Sequence, residues 1–149
     1  MILRPASPED APGCAKILSD WIAETPWFPD LHSRAEDVVF VQSKIEGAEA
    51  FVLADPAIKG FVVRDGDYVA CLYVAGPARG QGLGTRLLDR AKAGAGALRL
   101  WTFQANWRAQ AFYRRQGFSE GRRTDGDNEE GLPDVEFLWT RKAQERTAP

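Results

Sequence analysis

Seven consecutive residues, Arg79-Gly80-Gln81-Gly82-Leu83-Gly84-Thr85, concentrate most of the chemistry legible in this chain. They follow an apolar run, Tyr68–Val74, that reads as a central strand, and they lead into Leu87, Leu88 and Ala91 at helical spacing. A strand that ends in glycines and restarts as a helix aims free backbone N–H groups and the positive helix end at one point, which suits a phosphate. Glycine permits positive φ and close approach, and Arg79 adds a fixed positive charge. The dinucleotide pattern Gly-x-Gly-x-x-Gly, begun at Gly80, needs glycine where Thr85 stands, and no Gly-Lys pair exists to make a P-loop.

Other reactive groups are sparse. His32 is the only histidine; it can titrate near neutrality, and it precedes Ser33 at a helix entry, where packing is its simpler role. Asp67, Glu129 and Glu136 are carboxylates that could relay a proton through water, and none of the four is singled out by spacing. Cys71 lies within the apolar run, where burial keeps a thiol inert, and it forms no Cys-x-x-Cys pair with Cys14. Two cysteines and one histidine do not assemble a metal site. The segment from Asp125 to Asp134 carries five carboxylates, either as a solvated loop or as a field that draws an ammonium group. Trp27 and Phe28, between two helical stretches, either stack on a cationic or aromatic ligand or cap the end of a sheet.

These residues need a scaffold, and local signals outline one. Ile2–Arg4 is a short strand; Ser7-Pro8-Glu9-Asp10 opens a helix reaching about Ala23; Ser33-Arg34-Ala35-Glu36 is a capping box for a second helix ending at Gly47. Ala50–Ala54 and Lys59–Arg64 read as a hairpin, Leu83 to Gly94 as a third helix, Leu98–Phe103 as a strand, and Asn106 as the cap of a fourth helix to about Gln116. Phe118–Arg123 and Val135–Thr140 close the order βααβββαβαββ, an α/β fold with a mixed sheet. The 149 residues suit a single domain over 1–142 with a frayed tail over 143–149. A net charge of −2 excludes nucleic acid and anionic membrane as main partners. Met1–Pro5 has no apolar run of a secretory signal, and no stretch approaches the ~20 apolar residues of a membrane span. The expectation is a cytoplasmic, reduced, metal-free protein.

Arg79-x-x-Gly82-x-Gly84 resembles the cofactor motif of the GNAT superfamily, the acetyl-CoA-dependent N-acetyltransferases. A second motif stands downstream, in which Asn106, Ala109, Phe112-Tyr113 and Gly117-Phe118 match the family's Asn, Ala and Phe-Tyr-x-x-x-Gly-Phe. The resemblance implies a GNAT-like sheet with helices on both faces and two splayed central strands. It places the pantetheine arm of acetyl-CoA on the backbone of Leu72, Tyr73 and Val74, with Asn106 opposite and Phe112 along the thiol end. The pyrophosphate falls on the amides of Arg79, Gly80, Gln81, Gly82, Leu83, Gly84 and Thr85. Tyr113 becomes the acid that protonates the departing thiol. A primary amine of a small molecule or peptide is the implied acceptor, met by Trp27, His32 and Glu129. Dimers are frequent in the family. A non-catalytic acyl-CoA sensor and a tRNA- or ribosome-directed acetyltransferase are the alternatives; the acidic charge weighs against the last.

Overall fold

A computed structural model of the chain describes residues 1–147. Its order is β1 (Ile2–Pro5), α1 (Ala11–Ala23), α2 (Arg34–Gly47), β2 (Glu49–Asp55), β3 (Ala57–Asp65), β4 (Tyr68–Val74), α3 (Leu83–Ala93), β5 (Ala97–Phe103), α4 (Trp107–Arg115), β6 (Ser119–Thr124), β7 (Asp134–Thr140) and α5 (Arg141–Thr147). Apart from α5 and two short 3₁₀ turns, this is the expected order. The capping signals form as read. Glu36 N–H donates to Ser33 Oγ at 3.1 Å, and Ser33 N–H donates to Glu36 Oε1 at 3.0 Å. At the first helix the cap is displaced. Pro8–Asp10 forms a 3₁₀ turn, and Asp10 accepts from Ser7 N–H at 2.8 Å while pairing with Arg4.

Seven strands form one sheet in the order β1-β2-β3-β4-β5-β7-β6. Every neighbouring pair is antiparallel except β4 and β5, which are parallel and share a single register pair, Tyr68 with Arg99. The backbone pairing of the two halves is therefore confined to one point, while a shared core packs across them. Helices cover both faces. Cys14, Ile17 and Leu18 of α1 and Val41 and Ile45 of α2 pack with Val52, Phe61, Val63 and Cys71 on one side. Leu83, Leu87, Leu88 and Ala91 of α3 and Tyr113 of α4 pack with Val62, Leu98, Leu100 and Phe137 on the other. Each fully buried Leu of that stripe contributes about 1.5–3 kcal/mol.

Two local readings change. The apolar run Tyr68–Val74 suits a central strand, the kind buried on both faces. A bulge intervenes: Val63 pairs with Cys71 and Arg64 with Val69, leaving Ala70 as the extra residue. Val69 and Cys71, which strict alternation would put on one face, enter opposite cores. Beyond the bulge Leu72, Tyr73 and Val74 are only half-buried, because the next strand has moved away. The expected tail from Ala143 instead lies within α5 as far as Thr147, while Ala148 and Pro149 fall outside the described residues. Polar contacts dock this helix: Trp139 Nε1 donates to Gln144 Oε1 at 2.5 Å, and Lys92 Nζ donates to the same oxygen at 3.1 Å. Apolar periodicity carries no sign of such an anchor. No helix among the described residues is long and apolar enough to cross a membrane.

Candidate active site

Divergence of β4 from β5 opens the site. Over its whole length β5 stays in register with β7, while β4 stays paired with β3 across its bulge, so beyond Tyr68 and Arg99 the two strands separate. The gap is a cleft of about 630 Å³, walled by Leu72–Val74, Leu100–Phe103, the start of α4 and the end of α1. Ala75 N–H donates to Lys59 O at 2.8 Å, which sets the alternation of β4. Cys71 and Tyr73 spend their backbone groups on Val63 and Phe61, so those of Leu72 and Val74 face the cleft. Tyr73 lines the cleft with its ring, which stacks on Phe61 at 5.7 Å and meets Trp21 edge-on at 5.8 Å.

The glycine loop lies at the end of β4. Gly80 and Gly82 take φ of 79° and 78°, a left-handed conformation costly to other residues. α3 starts after Gly82 with no side-chain cap. From Gly80 to Thr85 no backbone amide donates to an acceptor among the described residues; the ladder begins with Arg86 N–H to Gly82 O at 3.1 Å. Such a row of open donors at a helix N-terminus is an anion site. Gly84 joins the loop to α4, since a Cβ there would stand 3.3 Å from Phe112 Cζ. Leu83 sends its side chain into the core, Gln81 is exposed, and Thr85 Oγ1 accepts from Gln116 Nε2 at 3.1 Å.

Arg79 is committed elsewhere. Its Nη2 lies 2.5 Å from Glu24 Oε1, and its Nε donates to Val74 O at 3.3 Å, so the guanidinium lies across the cleft mouth. Sequence reading missed Glu24. A signal existed, for a carboxylate just past the C-terminus of α1 opposes the helix dipole and needs a cation.

Opposite the loop, Asn106 Oδ1 accepts from Ala109 N–H at 3.1 Å and starts α4. Two turns on, Tyr113 is 9% exposed, its ring 5.3 Å from Phe112, 5.5 Å from Phe118 and 6.0 Å from Phe137. Its ring lines the cleft, and its hydroxyl has no hydrogen-bond partner among the described residues. Burial pushes this phenol well above its ordinary range, so it rests protonated and carries a proton at the cleft wall. Cys71 and Cys14 are buried and free, each thiol pushed up to about 12 by burial, and take no part.

The acceptor-side residues divide between two places. Trp27 lines the cleft, but it is half-buried rather than exposed. Trp27 and Phe28 pack edge-to-face against Phe103 at 5.9 and 5.5 Å, which caps the open end of β5. His32 and Glu129 sit in a second cavity, where Nε2 of His32 lies 2.6 Å from Glu129 Oε1. The other proton-transfer candidates are engaged outside the cleft: Asp67 with Arg99 at 3.0 Å, and Glu136 with Arg122 at 3.1 and 3.0 Å. No group of three or more His, Cys, Asp or Glu among the described residues is placed to hold a metal.

The His32 bridge has a pH signature. Glu129 as hydrogen-bond partner, helped by Glu36, raises the imidazole above its ordinary 6.5. A raised pKa means that folding favours the charged form. The contribution to stability is full below 6.5 and disappears as pH rises through the raised value. His32→Gln is expected to lower Tm more at about pH 6 than at about pH 9 in thermal scans. An equal difference at both would show that the bridge does not couple to folding.

Comparison with known proteins bears on this geometry. A family model described as an acetyltransferase (GNAT) domain matches residues 45–120, from the end of α2 into β6. No curated protein sequence matches the chain significantly. Among solved structures, apo YjaB from Escherichia coli superposes with a TM-score of 0.76 at 23% identity, over 93% of this chain and 98% of that one. Ribosomal-protein-alanine N-acetyltransferase from Brucella melitensis gives 0.73 at 19%, over 94% and 99%. Salmonella typhimurium yncA, solved with its cofactor acetyl-CoA, gives 0.71 at 18%, over 100% and 97%. These likenesses carry the fold, and the family model, which spans just over half of the 149 residues and contains both β4 and the glycine loop, carries the kinship: the chain belongs to the GNAT acetyltransferase family.

Proposed function

We propose that the protein moves an acetyl group from acetyl-CoA to a primary amine by direct attack. The observation that carries this reading is a cleft with the unpartnered Tyr113 in its wall and, at the edge lined by Arg79 and Gly84, the open amide row of Gly80–Thr85. Leu72 and Val74 present strand-like donors and acceptors to the pantetheine arm, with Asn106 and Phe112 on the far wall. The amides of the glycine loop hold the pyrophosphate, and Arg79 exchanges Glu24 for a phosphate oxygen. As the amine nitrogen bonds to the acyl carbon and the carbon–sulfur bond breaks, Tyr113 gives its proton to the leaving sulfur, and the amine loses its own to water. The proton moves from a phenol near 10 to a thiolate near 8.5, a step that burial of Tyr113 makes more uphill; the phenolate left behind regains a proton from solvent readily, which draws the transfer forward. A cytoplasmic setting, with the donor at hand and both thiols reduced, fits this reading.

Thermal unfolding with the donor tests it. Acetyl-CoA at 100 times its Kd adds about 2.7 kcal/mol to stability. For a domain of this size that corresponds to a rise in Tm of about 5–10 °C. An unchanged Tm at millimolar acetyl-CoA would remove both the catalytic reading and the sensor alternative.

A further inference from the structure

Behind Tyr73, on the α1–α2 face, lies the second cavity, of about 620 Å³. Leu18 and Ile22 of α1, Phe28 and Leu31 of the following loop, and Val39 and Phe40 of α2 make it apolar. Leu31, Val39 and Phe40 are 49%, 67% and 45% exposed, three of the seven large apolar side chains so exposed among the described residues. Their convergence on one cavity is not the scatter of an ordinary surface. The volume lies in the range of small-molecule sites, about 300–1,000 Å³.

The charged groups at this cavity are Glu36, Asp37, Glu129, Glu130 and the single His32. Asp37 is buried and accepts from Ser19 Oγ at 2.6 Å, while Glu36 and Glu129 share His32. Glu130 has no hydrogen bond or ion pair among the described residues and stands near enough to Tyr73 for its charge to be felt at that phenol. Tyr73 is the wall shared by this cavity and the cleft. The surroundings thus combine an apolar chamber, an unpaired carboxylate and a single aromatic wall, Tyr73, between the chamber and the reaction site. The His32–Glu129 bond ties the loop after α1 to the β6–β7 loop at the rim of this cavity.

We infer that this cavity holds the body of the acceptor, a small primary amine with an alkyl or arylalkyl body, its nitrogen drawn to Glu130 as the ammonium and directed past Tyr73 into the cleft, where it attacks as the neutral amine after giving the ammonium proton to water. This rests on the acyl-transfer reading above and narrows its acceptor to one class.

Thiol release from acetyl-CoA, followed with ethylamine, butylamine, hexylamine, phenethylamine, spermidine and a pentapeptide with an apolar first residue, tests it. Burial of each added methylene raises kcat/KM about three- to four-fold, so hexylamine exceeds ethylamine on the order of 100-fold. The double substitution Val39→Ser, Phe40→Ser brings that ratio below about ten-fold. A rise in Tm with acetyl-CoA shows that this variant is folded. Glu130→Gln raises KM for the whole alkylamine series about ten-fold and leaves the slope with chain length intact. A flat slope, a preference for spermidine or the peptide, or no turnover of any amine while acetyl-CoA still raises Tm overturns the assignment. A dimer that the double substitution dissociates, with the slope unchanged, gives the face to a second copy of the chain instead. Loss of the acetyl-CoA shift in the unaltered protein defeats the underlying acyl-transfer reading, a separate result.

Discussion

Tyr113→Phe lowers kcat by about 10²–10⁴ while leaving the acetyl-CoA-induced rise in Tm in place. The substitution removes one proton donor and little else. The ring contacts with Phe112, Phe118 and Phe137 depend on the aromatic face, which phenylalanine keeps. The hydroxyl has no partner among the described residues, so its removal strands no buried donor or acceptor. Stability therefore stays within about 0.5 kcal/mol of the parent, in line with a change that opens no cavity and buries no unpaired group. A fall in kcat with unaltered donor binding is the signature of an interaction made only as the sulfur departs. Steady-state thiol release at saturating acetyl-CoA, beside a thermal scan, separates the two quantities. Equal kcat in the two proteins would take Tyr113 out of the reaction.

Gly82→Val is expected to weaken acetyl-CoA binding by at least about 100-fold, because two or more charge-assisted amide–phosphate bonds, each about 1.5–3 kcal/mol, are blocked or misaligned. Two causes act together in that variant. The φ of 78° costs a β-branched residue about 1–2 kcal/mol or more, and the new side chain enters open space, since no other group lies within 4 Å of where a Cβ at Gly82 would stand. Gly82→Asn separates them, since asparagine adopts left-handed backbone at small cost. That variant keeps a Tm close to the parent yet still loses affinity, as titration calorimetry would show. Full affinity in Gly82→Asn would place the pyrophosphate away from this turn.

What could be read in advance follows a physical division. Glycines, caps and apolar runs act over a few residues, so Tyr68–Val74, the start of α3 at Leu83 with its stop at Gly94, and the Asn106 cap were all legible. The phosphate-type loop was legible for the same reason. The splay was available only through family resemblance. Its cause, the extra Ala70 and the lone Tyr68–Arg99 pair, is a register between distant segments that no local pattern encodes. Arg79 with Glu24 and His32 with Glu129 are partnerships over 55 and 97 positions, and each diverts a residue that the sequence suggested was free for ligand. The second cavity is equally remote from sequence, since Leu31, Val39 and Phe40 read as an ordinary helix entry and a weakly patterned helix.

The lone backbone pair between β4 and β5 has a bearing on how the protein ages in a cell. A sheet fastened at one point behaves like a book with a single stitch in its spine. Under the reading proposed here, acetyl-CoA is the missing leaf: it bonds to Leu72 and Val74 where a neighbouring strand would otherwise stand. Fuel status then sets more than turnover. When acetyl-CoA is plentiful the binding is complete and the covers stay shut; when it runs short the same molecules gape more often and proteases find them sooner. The supply of the substrate would thereby govern how much of the enzyme survives to use it.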